Sequence, residues 1–193
     1  VLPNYWIWLA AGLAISVLLI ALIVLRWRRR RSDIAGALHA VTIQRLHDVL
    51  APDGMGGHIQ IEYLILTAHG ILVIDVKRVE GVVFASDRMN EWTVMSKQGR
   101  FTFPNPQSTL YDRVAAIRQV LRDVQVAGFV VFPNAADFSK GRPKDVLLAR
   151  ELAEQYKKPE KSAVERVVLG IAPHWERIRE TVKPAPKRSP KRL

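Results

Sequence analysis

The apolar positions of this chain follow two rhythms. After Asn105-Pro106, the residues Leu110, Val114, Ile117, Leu121 and Val124 step by four, three, four and three, which is one face of a helix. Upstream, two apolar runs, Gly57–Thr67 and Ile71–Lys77, are joined by Ala68-His69-Gly70 and predict a β-hairpin. Before the hairpin, apolar residues at 34, 38, 41, 46 and 49–50 predict a helix over Ile34–Leu50 with Asp33 as its N-cap. Further strands are predicted at Gly81–Ser86, Trp92–Met95 and Arg100–Phe103, with Trp92 expected in the core. Gly128–Phe132 reads as a strand buried on both faces. Pro143 suits the first turn of a helix reaching Gln155, and Val164–Ile171 fits helix or strand equally. The order describes an α/β fold, a mixed sheet flanked by helices.

One stretch follows neither rhythm. Tyr5–Leu25 is uncharged throughout, long enough as a helix to cross a hydrocarbon core of about 30 Å. Tyr5, Trp6, Trp8 and Trp27 sit where interfacial aromatic belts fall, and Arg26 with Arg28–Arg31 follows immediately. The expectation is a single-pass anchor with its N-terminus outside and the rest of the chain cytoplasmic, at a bacterial inner membrane. The Arg26–Arg31 cluster would meet anionic lipid. A cleaved signal peptide fits less well, because there the basic residues come first.

The net charge of +11 changes meaning once it is located. Five arginines lie in residues 1–31 and five basic residues in 181–193, and neither segment contains an acid. The 19 basic and 18 acidic residues of 32–180 nearly cancel. The strong basicity therefore belongs to the ends, and the folded part lacks the broad basic face of a tight nucleic-acid binder. The tail from Thr181 is Pro-rich and basic and is expected to be unstructured. With no cysteine, disulfides, thiolate metal sites and cysteine nucleophiles are excluded. No histidine pair has metal-ligand spacing, and no glycine-rich phosphate loop occurs.

The candidate chemistry lies in the hairpin. Strands of Ile, Leu and Val have no structural need for Glu62, Asp75 and Lys77, since burying an unpaired charge is costly. Asp75 and Lys77, two apart, point the same way. A turn centred on Ala68-His69 makes opposed residues sum to 137 and sets Glu62 across from Asp75, a carboxylate pair suited to a cation. A turn centred on His69-Gly70 makes the sum 139 and sets Glu62 across from Lys77, a plain ion pair. A three-residue loop would send Glu62 to the other face. The pattern alone leaves these registers open.

Together, Glu62, Gly70, Asp75-Val76-Lys77, Gly81, Trp92 and Asn105-Pro106 resemble the NERD (nuclease-related) domain family, whose fold is of the PD-(D/E)xK, restriction-endonuclease-like kind. The resemblance covers about residues 34–155. It implies that Glu62 and Asp75 hold Mg²⁺ or Mn²⁺ and that Lys77 stabilises developing negative charge during phosphodiester hydrolysis. Gln107 and Arg113, on the helix after Asn105-Pro106, become candidate nucleic-acid contacts. The chain departs from the family pattern in three places. Gly36-Ala37 stands where the family has Gly-Glu, Glu62 where an Asp is commoner, and Thr109 and Arg113 near the family's Gln and His.

The expected organisation is an anchor and basic cluster over 1–31, a NERD-like domain over 32–158, an extension over 159–180 and a basic tail over 181–193. Two functions follow. One is a membrane-anchored, Mg²⁺-dependent nuclease acting on DNA or RNA at the cytoplasmic face. The alternative is a catalytically inactive tethered domain that binds nucleic acid or a protein partner.

Overall fold

The computed structural model describes residues 33–186 together with Leu13, Ser16 and Ile20, which are helical. The expected anchor at Tyr5–Leu25 therefore lies, apart from those three, outside the described residues, as do the Arg26–Arg31 cluster and the end of the tail. Among the described residues no helix is long and apolar enough to cross a membrane.

Helix α1 spans residues 33–41 and buries Ile34, Ala37, Leu38 and Val41. The predicted helix continued to Leu50; instead the chain turns at Thr42, and Ile43 donates its N–H to the Leu66 carbonyl at 2.8 Å. Strand β1 (Gln44–Pro52) follows, buried alternately at Val49 and Ala51. The apolar residues at 46 and 49–50 thus belong to a strand, because pairing with β2 outweighs local helix preference. The hairpin strands are β2 (His58–Thr67) and β3 (Gly70–Val76).

β4 (Gly81–Phe84), β5 (Glu91–Ser96) and β6 (Gly99–Pro104) form a meander, and α2 (Gln107–Val120) follows as expected. After β7 (Val126–Phe132) come two short strands, β8 (Ala136–Asp137) and β9 (Val146–Leu148), then α3 (Ala149–Gln155). The helix expected from Pro143 starts only at Ala149, because Val146–Leu148 pair in parallel with β7. Helix α4 (Lys161–Thr181) resolves the ambiguous Val164–Ile171. Lys183–Pro184 form β10, so the segment expected to be unstructured begins with a paired strand.

The strands make two sheets rather than one. Six run in the order β10-β1-β2-β3-β7-β9, and four in the order β6-β5-β4-β8. The pairing of β3 with β7 is parallel and makes this sheet mixed. Its two faces divide the core. Ile71 and Val73 of β3 share one cluster with Leu110, Val114 and Ile117 of α2, with Trp175 and Ile178 of α4, and with Trp92 of the second sheet. Leu72, Ile74 and Val76 face α1 and α3. Trp92 is fully buried and stacks on Phe132 at 6.4 Å, so its expected core role is met. Helix α2 lies so close to β7 that a Cβ at Gly128 would overlap Val114 Cγ2.

Candidate functional site

The hairpin register follows from its turn. Thr67 Oγ1 donates to the Gly70 carbonyl at 2.9 Å and accepts the His69 N–H at 3.1 Å, closing a two-residue turn at Ala68-His69. Gly70 has φ +120°, and a Cβ there would come within 2.5 Å of the Gln125 carbonyl, so only glycine fits. Thr67 pairs with Gly70 and Tyr63 with Ile74, the register whose opposed residues sum to 137. Continued past its last pair, Tyr63–Ile74, that register would bring Glu62 opposite Asp75; the alternative ion pair of Glu62 with Lys77 does not form, and Lys77 pairs with Asp75 instead.

Glu62 marks a break in both ladders. Pairing of β2 with β3 ends at Tyr63, and pairing of β2 with β1 skips Glu62 and Asp48, which adopts φ +50°. In place of a main-chain carbonyl, Glu62 Oε2 accepts the Val76 N–H at 2.9 Å, while Oε1 faces Arg78 Nη1 at 3.3 Å. Burial pushes the Glu62 carboxyl above its ordinary value. The Val76 N–H and Arg78 oppose that rise, and the Asp75 charge adds to it.

Asp75 continues the row of Ile71 and Val73 toward the α2 face, at the carboxyl end of β3. Its Oδ2 meets two cations, Lys77 Nζ at 3.1 Å and Arg113 Nη1 at 3.1 Å. Arg113 reaches inward from α2, and its Nε donates to the Gln60 carbonyl of β2 at 2.6 Å. The side chains of Asp75 and Arg113 are 10% and 15% exposed, whereas Lys77 keeps 30% of its surface open. Arg113 therefore bridges two strands through two oxygens, and Lys77 stands at the mouth.

Gln107 belongs to a different cluster. Its Nε2 donates to Asp87 Oδ1 at 2.7 Å and to the Lys144 carbonyl at 2.9 Å, and its Oε1 accepts from Asn105 Nδ2 at 3.2 Å. The Lys144 N–H also donates to Asp87 Oδ1, at 2.8 Å. The Gln107 hydrogen bond, with that N–H, holds the Asp87 carboxyl below its ordinary value. Gln107 is buried and its amide is committed to tying the start of α2 to two loops. The structure thus separates the two residues expected as nucleic-acid contacts: Arg113 joins Asp75, and Gln107 does not.

Ala37, where the family pattern has an acid, is buried against Leu72, Ile74 and Val76 on the face away from α2. An acid at 37 would not share the face of Asp75. Among the described residues no group of three His, Asp or Glu side chains gathers as a metal site. The expected Mg²⁺ ligands are Glu62 and Asp75, and both already meet cations or a backbone N–H. Three positive side chains surround two carboxylates, so a divalent ion would enter a locus already overcompensated in charge. This donor set does not fit a resident Mg²⁺ or Mn²⁺.

The part played by Arg113 beside Asp75 is the feature the sequence reading missed. A signal was present: Arg113 lies three residues after Leu110 and four before Ile117, inside the apolar stripe of α2, where a charge requires a partner. Nothing comparable pointed to the Gln60 carbonyl.

The fold is that of an α/β domain with its charged residues at the carboxyl end of a parallel strand pair. Residues 33–133 match the NERD (nuclease-related domain) family, slightly more than half of the chain, and the chain belongs to that family. The match supports a nuclease-related function at the level of the family. The chain is also similar to an uncharacterized protein of Bacillus anthracis, 26% identical over 76 residues, which is 39% of this chain. That stretch spans only 36% of the length of the Bacillus protein. No solved structure matches.

Proposed function

We propose that this domain binds the phosphodiester backbone of nucleic acid at the carboxyl end of β3, through Lys77, Arg78 and Arg113, without a resident divalent ion. The observation that carries the reading is the sharing of Asp75 Oδ2 between Lys77 and Arg113. One carboxylate thereby orients two cations and spends few of their donors. An ammonium has three N–H groups and a guanidinium five, so both retain donors for phosphate oxygens. Arg78 adds an exposed third cation, and the locus carries one net positive charge. Because 32–180 is otherwise near neutral, binding is focused on this locus rather than spread over a face. The apolar run Tyr5–Leu25 and the arginines after it would tether the domain to the cytoplasmic side of an anionic membrane.

A second reading, Mg²⁺-dependent hydrolysis of the bound strand, is favoured by the hairpin register, which brings Glu62 close enough to Asp75 for the Asp75 charge to help raise the Glu62 pKa. It requires both cations to leave Asp75 when metal enters. Fluorescence anisotropy of the full chain in detergent, with labelled single-stranded DNA, duplex DNA and RNA, tests both. Each titration is run with Mg²⁺ and with EDTA, and the oligonucleotides are afterwards sized on a gel. The diagnostic is the difference between wild type and Lys77→Ala/Arg78→Ala, since the basic tail contributes equally to both. Binding that is indifferent to EDTA, weakened in the variant and without strand shortening is the expected result. Shortening that needs Mg²⁺ and vanishes in Asp75→Ala would establish the hydrolytic reading. Equal affinity of wild type and variant would overturn the proposal.

A further inference from the structure

We infer that the Arg113 guanidinium stands in for a divalent cation and holds the Asp75 locus closed to metal. The inference rests on the metal-free reading above and explains it at the level of one side chain. Arg113 touches Gln60 O on β2 and Asp75 Oδ2 on β3, while Glu62, two residues beyond Gln60, is turned to the Val76 N–H and Arg78. A main-chain carbonyl and a carboxylate are hard oxygen donors of the kind that Mg²⁺ and Mn²⁺ take. Here the two strands direct them at a +1 group instead. That group is held from both ends. Leu110 and Ile117, flanking Arg113 on α2, are fully buried, and Nε is fixed to Gln60 O at 2.6 Å. Lys77 and Arg78 are more exposed and can swing away from an incoming ion, whereas Arg113 keeps only 15% of its side chain open and is fixed to Gln60 O and Asp75. The closed state is thus a property of position 113 rather than of a lost carboxylate.

The test is Mn²⁺ binding, followed by loss of the free-ion paramagnetic resonance signal, on the full chain in detergent. Wild type is compared with Arg113→Gln, which keeps a donor for Gln60 O, and Arg113→Met, which keeps the apolar stem. Thermal melts confirm that each variant is folded before it is titrated. Expected is Mn²⁺ binding at least tenfold tighter in one or both variants than in wild type, removed again when Asp75→Asn is added. Wild type binding Mn²⁺ as tightly as the variants would overturn the inference. So would folded variants that do not bind, or gained binding that survives Asp75→Asn. Nucleic-acid binding by wild type is scored separately, so failure of the phosphate reading and failure of this inference remain distinct outcomes.

Discussion

Gln107 and Arg113 lie on the same helix, both carry long polar side chains, and both turn inward, yet they solve burial in different ways. Gln107 is neutral and meets two acceptors and one donor at near-ideal distances, so it joins α2 to the Asp87 and Lys144 loops. Arg113 brings a charge under the helix and is tolerable there only because Asp75 lies opposite. The uncharged Gln107 side chain spends its amide donors within the protein. The charged one has donors to spare, and so it is the one with chemistry. Inward-facing polarity is thus no guide to function until its charge balance is known.

Removing Asp75 breaks this comparison most sharply. Asp75→Ala leaves Arg113 buried and unpaired and is expected to lower stability by about 3 kcal/mol in urea titration, more than any change at Gln107. Gln107→Ala removes hydrogen bonds to Asp87 and Lys144, both exposed and free to turn to water, and is expected to cost about 1 kcal/mol, with a loss that hardly varies between low and high salt. An equal loss from both variants would mean that the two networks are energetically alike. Lys77→Ala sharpens the functional side. Because Lys77 is partly exposed, stability should fall by no more than about 1 kcal/mol, while the salt dependence of nucleic-acid binding loses about one unit of slope. Gln107→Ala should leave that slope unchanged.

The smallest effect concerns Glu62. Its raised pKa means that the folded state holds a proton more tightly than the unfolded chain. Stability contributed by the protonated form is full below the ordinary value of 4.5 and is lost as pH rises through the higher folded value. Glu62→Gln should remove this decline, read as urea midpoints that change less than wild type between pH 4.5 and neutrality.

Much of the fold was legible because periodicity reports burial. The stripe of α2 and the alternation of the hairpin each describe a face, and those faces are where the core lies. The failures have a common cause in pairing between distant segments. Residues 43–50 have mixed periodicity and become strand because β2 offers them carbonyls. Val146–Leu148 are too short to be recognised as a strand and form one against β7. Helix α4 was readable beyond its ambiguous start, since Ile171, Trp175, Ile178 and Val182 step by four, three and four onto the core. At the site, the register was confined to two-residue or three-residue turns, and the Thr67 hydroxyl decided it. The Arg113–Gln60 contact was invisible, because a main-chain acceptor carries no side-chain signature.

The two-residue strand β10 closes part of an otherwise open edge of the six-stranded sheet. It covers β1 only at Val49 and Leu50, with one more bond from the Ala185 N–H to the Asp48 carbonyl at 2.8 Å. Part of the outer edge of β1 is thus covered by the segment that follows α4. Without that segment, Val49 and Leu50 present free hydrogen-bonding groups to any neighbouring chain. A chain ending at Thr181 would keep that edge bare permanently, and its light scattering should rise with concentration where the full chain's does not. The segment after α4 therefore acts as a guard on the sheet edge, and its loss opens β1 to pairing with another copy.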